Sequence, residues 1–398
     1  MNPNLVKLFQ IAQKPERRIV GLMSGTSMDG LDIAVCRFSG SGSQTHVTLE
    51  HFDTVIFSED IKDEIRKVFA KKEIDFQLLC LLNSWIGKLH GKMILDSLKK
   101  FNLTPNDIDI IASHGQTVFH TPKILHRIEK YPNATLQIGD GDHIAVTTGI
   151  TTLSDFRQKH CAAGGEGAPL AVYGDYFIFS QKDENRIMLN MGGIANFTYL
   201  PGNLNAQEVF VTDTGPGNTL IDAFARKFFN LPYDKGGKIA ASGKVHDELL
   251  KCLKKDAFFD APFPKTTGPE SFSLDYVRLA QQRSGTTSLA PEDLMATLTR
   301  FSAETIAESI LRVCKKDESY RLFLSGGGMH NPVLVGALRE LLPDYEMDVT
   351  DSLGIAGDAK EAVLFAILAN EALCGQPTDF GSREGVPSVS MGKISFPS

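Results

Sequence analysis

Ile19–Phe38, IVGLMSGTSMDGLDIAVCRF, sets two short apolar runs on either side of a tight turn bounded by Gly25 and Gly30. Apolar runs of this length punctuated by glycine read as the two strands of a hairpin. The turn itself carries Thr26, Ser27, Met28 and Asp29, and Leu31 and Asp32 follow it. Glycines let backbone approach a ligand closely, and successive turn N–H groups make an anion-sized concavity. Hydroxyls and a carboxylate in the same turn can hold phosphate oxygens or a hydrated Mg²⁺. The stretch predicts a phosphate-binding hairpin.

Arg186–Leu200, RIMLNMGGIANFTYL, repeats the pattern of strand, glycine turn and strand. Two such hairpins about half a chain apart leave two readings open, a duplicated domain or two unrelated glycine turns. Between them, Glu59–Lys72 and Asp75–Lys100 read as helices, the second with Leu78, Leu82, Trp85, Ile86, Leu89 and Met93 at helical spacing. Asp107–Ser113 reads as a buried strand ending in HGQT, and 135–138 and 150–153 as further strands. Helices are expected over Thr219–Phe229, Pro291–Lys315 and Asp358–Leu373, with a strand at Arg321–Leu324. Phe258–Ser271, rich in Pro and Gly, reads as a loop. Strands alternating with helices predict an α/β chain with mixed sheets.

At 398 residues the chain exceeds the ~250–300 at which single cores stop growing, so two domains are expected. A net charge of −7 and the lack of basic runs argue against a nucleic-acid partner. No apolar stretch resembles a signal peptide or a membrane span. Six cysteines without CxxC pairs, several in apolar contexts, fit reduced thiols in the cytoplasm.

Four glycine-rich elements each follow an apolar run: Gly25–Gly30, Gly192–Asn196, Asp213–Gly217 and Ser325–Gly328. No GxxxxGK[ST] occurs, so phosphates would be held by hairpin turns instead. Asp29, Asp32 and Asp213 are candidates near a metal, or ordinary turn formers. Asp155, at a strand end opening into GGEGAP, is a candidate general base or one half of a structural pair with Arg157. His114, His120 and His143 lack metal-ligand spacing and fit hydrogen-bonded roles at strand ends.

Taken together, GLMSGTSMDGLDIAV, HGQTVFHTP, LQIGDGDHIA, SDFR with AAGGEGAPL, NMGGIANFTYL, DTGPGNTLID, PKTTGPESF and LFLSGGGMHNP resemble the anhydro-N-acetylmuramic acid kinase family. The likeness runs in order from about residue 18 to the C-terminus. It implies the sugar kinase/Hsp70/actin fold, two related actin-like, ribonuclease H-like α/β domains flanking a nucleotide cleft. The boundaries expected are 1–145 with about 375–398 for one domain and 146–374 for the other. The resemblance further implies that ATP and Mg²⁺ are used to open 1,6-anhydro-N-acetylmuramic acid and phosphorylate O6 during peptidoglycan recycling. It places Gly25–Asp32 on the ATP phosphates. Gly192, Gly193, Asn196, Asp213 and Gly215 form the second phosphate loop, and Gly326, Gly327 and Gly328 lie by the nucleoside. It further implies that Asp155 and Glu361 take the catalytic roles, that Mg²⁺ reaches the site with ATP beside Asp29 or Asp213, and that the protein is a homodimer. Another sugar kinase or phosphohydrolase of this fold, or an ATP-dependent sensor, are the competing readings. His160 and Glu166 stand where members commonly carry an acid and a glutamine, and FPKTTGPESF departs from PPKSTGREYF.

Overall fold

β1 (Glu16–Ser24) and β2 (Gly30–Ser39) pair antiparallel across the Gly25–Asp29 turn, and β3 (His46–Ile56) adds antiparallel to β2. β4 (Ile110–Thr121) runs parallel to β1 and carries β5 (Ala134–Ile138) as an antiparallel partner. β6 (Thr152–Ser154) lies parallel to β4, and β12 (Lys393–Ser395) closes that edge antiparallel to β6. The second hairpin is β7 (Asn185–Met191) with β8 (Ile194–Leu200), extended by β9 (Phe210–Pro216). β10 (Tyr320–Ser325) runs parallel to β7, and β11 (Glu346–Val349) runs parallel to β10.

The two sheets therefore share one plan. The third, second and first strands of each repeat pair antiparallel, and two parallel strands follow on the far side of the first. The echo between the two glycine hairpins is a duplication of this unit. In a computed structural model describing residues 1–315, 317–381 and 385–398, Met1–Phe179 with Gly354–Ser398 forms one unit and Ser180–Leu353 the other.

In the first unit, Asp75 caps the helix Phe76–Lys100 by accepting from the Leu78 N–H at 3.2 Å. Ile86, Ile94 and Leu98 of that helix pack on Val20, Leu22, Ile33, Val35 and Ile111 of the sheet. On the other side of β1 the helix Lys360–Cys374 approaches so closely that a Cβ at Gly21 would sit 1.9 Å from the Ala362 carbonyl oxygen. In the second unit, Ile306 and Ile310 of the helix Pro291–Val313 and Leu334 and Leu338 of Pro332–Leu341 cover Ile187, Leu189, Phe197 and Leu322.

Four expectations are corrected. HGQT lies inside β4, because pairing with β5 carries that strand on to Thr121. Asp213 lies inside β9, because pairing with β8 continues to Pro216. The helix expected over Glu59–Lys72 stops at Arg66, and Ala70 turns left-handed at φ 54° to donate its N–H to the Val118 carbonyl. The boundaries also fall at 179/180 and 353/354, not at 145/146 and near 375. β6 carries residues 152–154 into the first sheet, and the helix Lys360–Cys374 is packed on β1, so both segments belong to the first unit.

Candidate functional site

In the first unit the Gly25–Asp29 turn is braced from β4. Gln116, fully buried, donates to the Gly25 and Thr117 carbonyls at 2.8 and 3.0 Å and accepts from the Ser24 hydroxyl at 2.6 Å. His114, two residues earlier, donates through Nδ1 to the Ser24 and Gly115 carbonyls, which leaves Nε2 to accept from Arg157 Nε at 2.7 Å. Burial, aided by the Arg157 charge, drives the His114 pKa down to about 3, so this imidazole stays neutral. Arg157 also donates to the Gly167 carbonyl at 2.7 Å.

One carboxylate, Glu361, acts on that guanidinium. Burial pushes Glu361 up from the usual carboxylate range; Arg157 draws it down and Asp32 pushes it up. Burial likewise raises Asp32, which accepts from the Thr54 hydroxyl at 2.6 Å and feels the charges of Asp358 and Asp29. The structure thus joins the GTSMDG turn to Glu361 and Arg157 within one unit. Among the described residues no three His, Cys, Asp or Glu side chains lie close enough to hold a metal ion by themselves.

Asp155 sits apart from these contacts. It precedes the helix Phe156–Ala162 in the left-handed region, φ 57°, a conformation aspartate tolerates better than most residues. Its carboxylate pairs with Lys393 of β12 at 2.8 Å, so Arg157 is not its structural partner. Asp155, Asp140, Asp142, Gln137 and Lys393 line a cavity of about 580 Å³.

In the second unit the glycine elements converge. Asn218 Nδ2 donates to the Met191 and Gly192 carbonyls at 2.9 and 3.0 Å, and the Gly217 and Thr219 N–H groups donate to Gly193 O. The segment after DTGPG is thereby folded onto the Gly192–Gly193 turn. Gly326 and Gly328 lie against Asn190 and Met191 at the end of β7. Beside them a cavity of about 620 Å³ is lined by Asn218, Asp222, Tyr233, Lys235, Gly327 and His330. Asn196 lies within β8, opposite Asp213 of β9.

Asp213 is a partly buried carboxylate of this unit. Burial raises its pKa, and the single bond opposing that rise is the Thr267 N–H, donated to Oδ2 at 2.8 Å. Gly215 adopts φ 137°, and a Cβ there would sit 2.9 Å from the Phe259 ring. DTGPG needs its glycine so that the loop Phe258–Thr267 can close on Asp213.

The family model described as anhydro-N-acetylmuramic acid kinase matches residues 17–397. The chain belongs to the anhydro-N-acetylmuramic acid kinase family. A kinase of that name from Pseudoalteromonas atlantica is 54% identical, with all of both chains covered. That from Pseudoalteromonas translucida is 50% identical over the same full lengths. That from Caldanaerobacter subterraneus is 38% identical, covering 98% of this chain and all of the relative. Within this kinase family the departure at His160 is built in: its Nδ1 accepts from Gly167 N–H at 2.9 Å, and its ring meets Tyr173 edge-on. Glu166 lies within electrostatic reach of His120.

Sequence reasoning missed Gln116 and Arg157 as supports. HGQT and SDFR were legible as motifs, but the bonds that join them to the first turn run through the sheet. Lys393 gave no signal, because its partner is more than two hundred positions away.

Proposed function

We propose that this chain is an ATP-dependent phosphotransferase that opens 1,6-anhydro-N-acetylmuramic acid with water and places the γ-phosphoryl group on O6. A carboxylate removes a proton from water as the oxygen attacks C1, the C1–O6 bond breaks, and O6 displaces ADP from the γ-phosphorus. The products are N-acetylmuramic acid 6-phosphate and ADP. Attack by a base-activated water with loss of the opposite oxygen is inverting glycoside chemistry, coupled here to in-line phosphoryl transfer.

The resemblance put the base at Asp155; we assign it to Asp213. The observation that carries this is the contrast between the two carboxylates. Lys393 holds Asp155 as an ion pair, whereas Asp213 is partly buried, raised in pKa by that desolvation and bonded by one backbone N–H. A base whose pKa is lifted toward the working pH transfers protons more effectively. In the first unit, Glu361 is a second carboxylate of raised pKa, under the charge of Arg157. In the first unit the backbone N–H groups of Gly25–Gly30 suit phosphate; in the second those of Gly192 and Gly193 do, and the cavity beside Gly327 suits the nucleoside. Mg²⁺ arrives on the ATP phosphates and offsets their charge when bound. Asp29 and Asp32 suit its water shell, since Mg²⁺ keeps several waters and needs only one or two carboxylates. A homodimer is carried over from the resemblance and a cytoplasmic location from the cysteine pattern, to be checked by solution mass and by cell fractionation.

The test is paired. Asp213→Asn should lose at least ~10²-fold in kcat while still binding ATP, and Asp155→Asn should stay within about tenfold of the parent. The reverse ranking returns the base to Asp155. Reaction in ¹⁸O-water should place the label on the C1 hydroxyl of the product, and unlabelled product refutes hydrolytic opening.

A further inference from the structure

Lys265 is a buried lysine that the reaction leaves unused. Its side chain does not reach water as lysines on a surface do. Its ammonium lies 4.3, 5.8 and 5.2 Å from the ring centroids of Phe258, Phe259 and Phe263. It donates to the Phe258 and Phe259 carbonyls at 2.8 and 3.1 Å. Burying an ammonium costs several kcal/mol unless rings and carbonyls replace its water, which is what this cage does. A methionine would fill the same space without that cost.

The backbone of the same residue grips β9. Lys265 N–H donates to the Thr212 hydroxyl at 3.0 Å, and Lys265 O accepts from Asp213 N–H at 2.9 Å. Two residues on, Thr267 N–H reaches the Asp213 carboxylate. At the far end, Arg312 of the helix Pro291–Val313 donates to the Phe259 and Ala261 carbonyls and lies over the Phe263 ring at 4.6 Å. The loop is thus wrapped around one ammonium, anchored to a helix on one side and to the proposed base on the other.

We propose that Lys265 is a positioning residue for Asp213: its caged ammonium holds the loop 258–267 closed, so that Thr267 N–H keeps the carboxylate aimed and ionised. The proposal rests on the assignment of Asp213 as the base. Burial and the facing Arg312 charge bring the Lys265 pKa down to about 8, with Asp260 opposing them, so the clamp is charged at neutral pH.

The experiment uses Lys265→Met in the full chain, assayed for kcat, for KM of ATP and sugar, for pH dependence and for thermal unfolding. We expect kcat to fall ~10-fold or more, since small misplacements of a catalytic group carry losses of that order. Both KM values should hold within about twofold, and the unfolding midpoint should be unchanged or higher. The acid limb of kcat should move to higher pH, because losing the Thr267 bond removes what lowers the Asp213 pKa. Parental kcat with an unmoved acid limb overturns the proposal, and so does a kcat loss that tracks a fall in the midpoint. If Lys265→Met does not fold, Thr212→Val decides by the same limb: a shift upward supports the clamp, and none overturns it. An active Asp213→Asn defeats the base assignment and the clamp together, whereas an inactive Asp213→Asn beside a parental Lys265→Met defeats the clamp alone.

Discussion

Gly21→Ala is a single methyl group set against backbone on two sides. Gly21 lies in β1 between Ala34 of β2 and Ala112 of β4, so the strand cannot shift without breaking both ladders. The new Cβ would stand 1.9 Å from the Ala362 carbonyl oxygen, whereas a carbon and a carbonyl oxygen in contact keep about 3.3–3.6 Å. The helix Lys360–Cys374 must therefore retreat by about 1.5 Å. Overpacking costs about 1–3 kcal/mol when side chains can yield; with backbone on both sides the upper end applies, about 3 kcal/mol. At about 2–4 °C per kcal/mol for a unit of this size, the first unit should melt about 6–12 °C lower. Glu361 sits one residue before Ala362, so kcat should fall as well, even at temperatures where the variant is folded. The control is Gly336→Ala, within the helix Pro332–Leu341, where nothing lies within 4 Å of the added carbon. There alanine should stabilise by about 0.5–1 kcal/mol. Calorimetry of both variants beside the parent is the assay. If Gly21→Ala melts within 1 °C of the parent, or if the two substitutions shift the midpoint in the same direction, the close helix–strand contact is refuted.

Two further variants probe the supports. Gln116→Leu removes the side-chain donor to the Gly25 and Thr117 carbonyls and leaves the Ser24 hydroxyl only the Gly30 carbonyl, so KM for ATP should rise about tenfold, or about 1.4 kcal/mol, with a smaller change in kcat; an unchanged KM would show that the turn holds its shape without the brace. His90 is fully buried, with no hydrogen-bond partner for either ring nitrogen among the described residues, and burial lowers its pKa to about 4. The unfolded chain takes up that proton below about 6.5 and the folded one does not, so stability present above pH 6.5 is lost as the pH falls toward 4. Between pH 7 and pH 5 this amounts to about 2 kcal/mol, and His90→Phe should remove it; urea unfolding at the two pH values measures the slope, and an unchanged slope counts against it.

Local chemistry was legible in the sequence, and long-range closure was not. The hairpins at Gly25 and Gly192 announce themselves, because a glycine turn between apolar runs is a local signal. That they head sheets of one plan could be suspected from spacing alone, while strand order depends on which runs meet. DTGPG reads as a turn by composition, yet β8 offers a partner as far as Pro216, and pairing overrides the propensity of glycine and proline. Asp155 looked like a base because a carboxylate at a strand end is exposed to ligand, and only the return of β12 shows that a lysine occupies it. The cage around Lys265 needs three phenylalanines from a stretch whose composition says no more than loop.

The order of segments in the first unit has a consequence for biosynthesis. Ser180–Leu353 is one uninterrupted stretch, whereas the other unit lacks the helix on β1 and the strand beside β6 until residues 360–374 and 393–395 emerge. Domains fold as units while the chain is being made. The inserted unit can therefore reach its native form first, and the unit begun earliest is completed last. A chain cut short near residue 390 would carry every phosphate-binding turn and both carboxylates of the reaction, yet leave β6 as an open sheet edge. Such an edge is a template for pairing with other chains; β12 takes its place as the edge, three residues that include a lysine, which makes a poorer template.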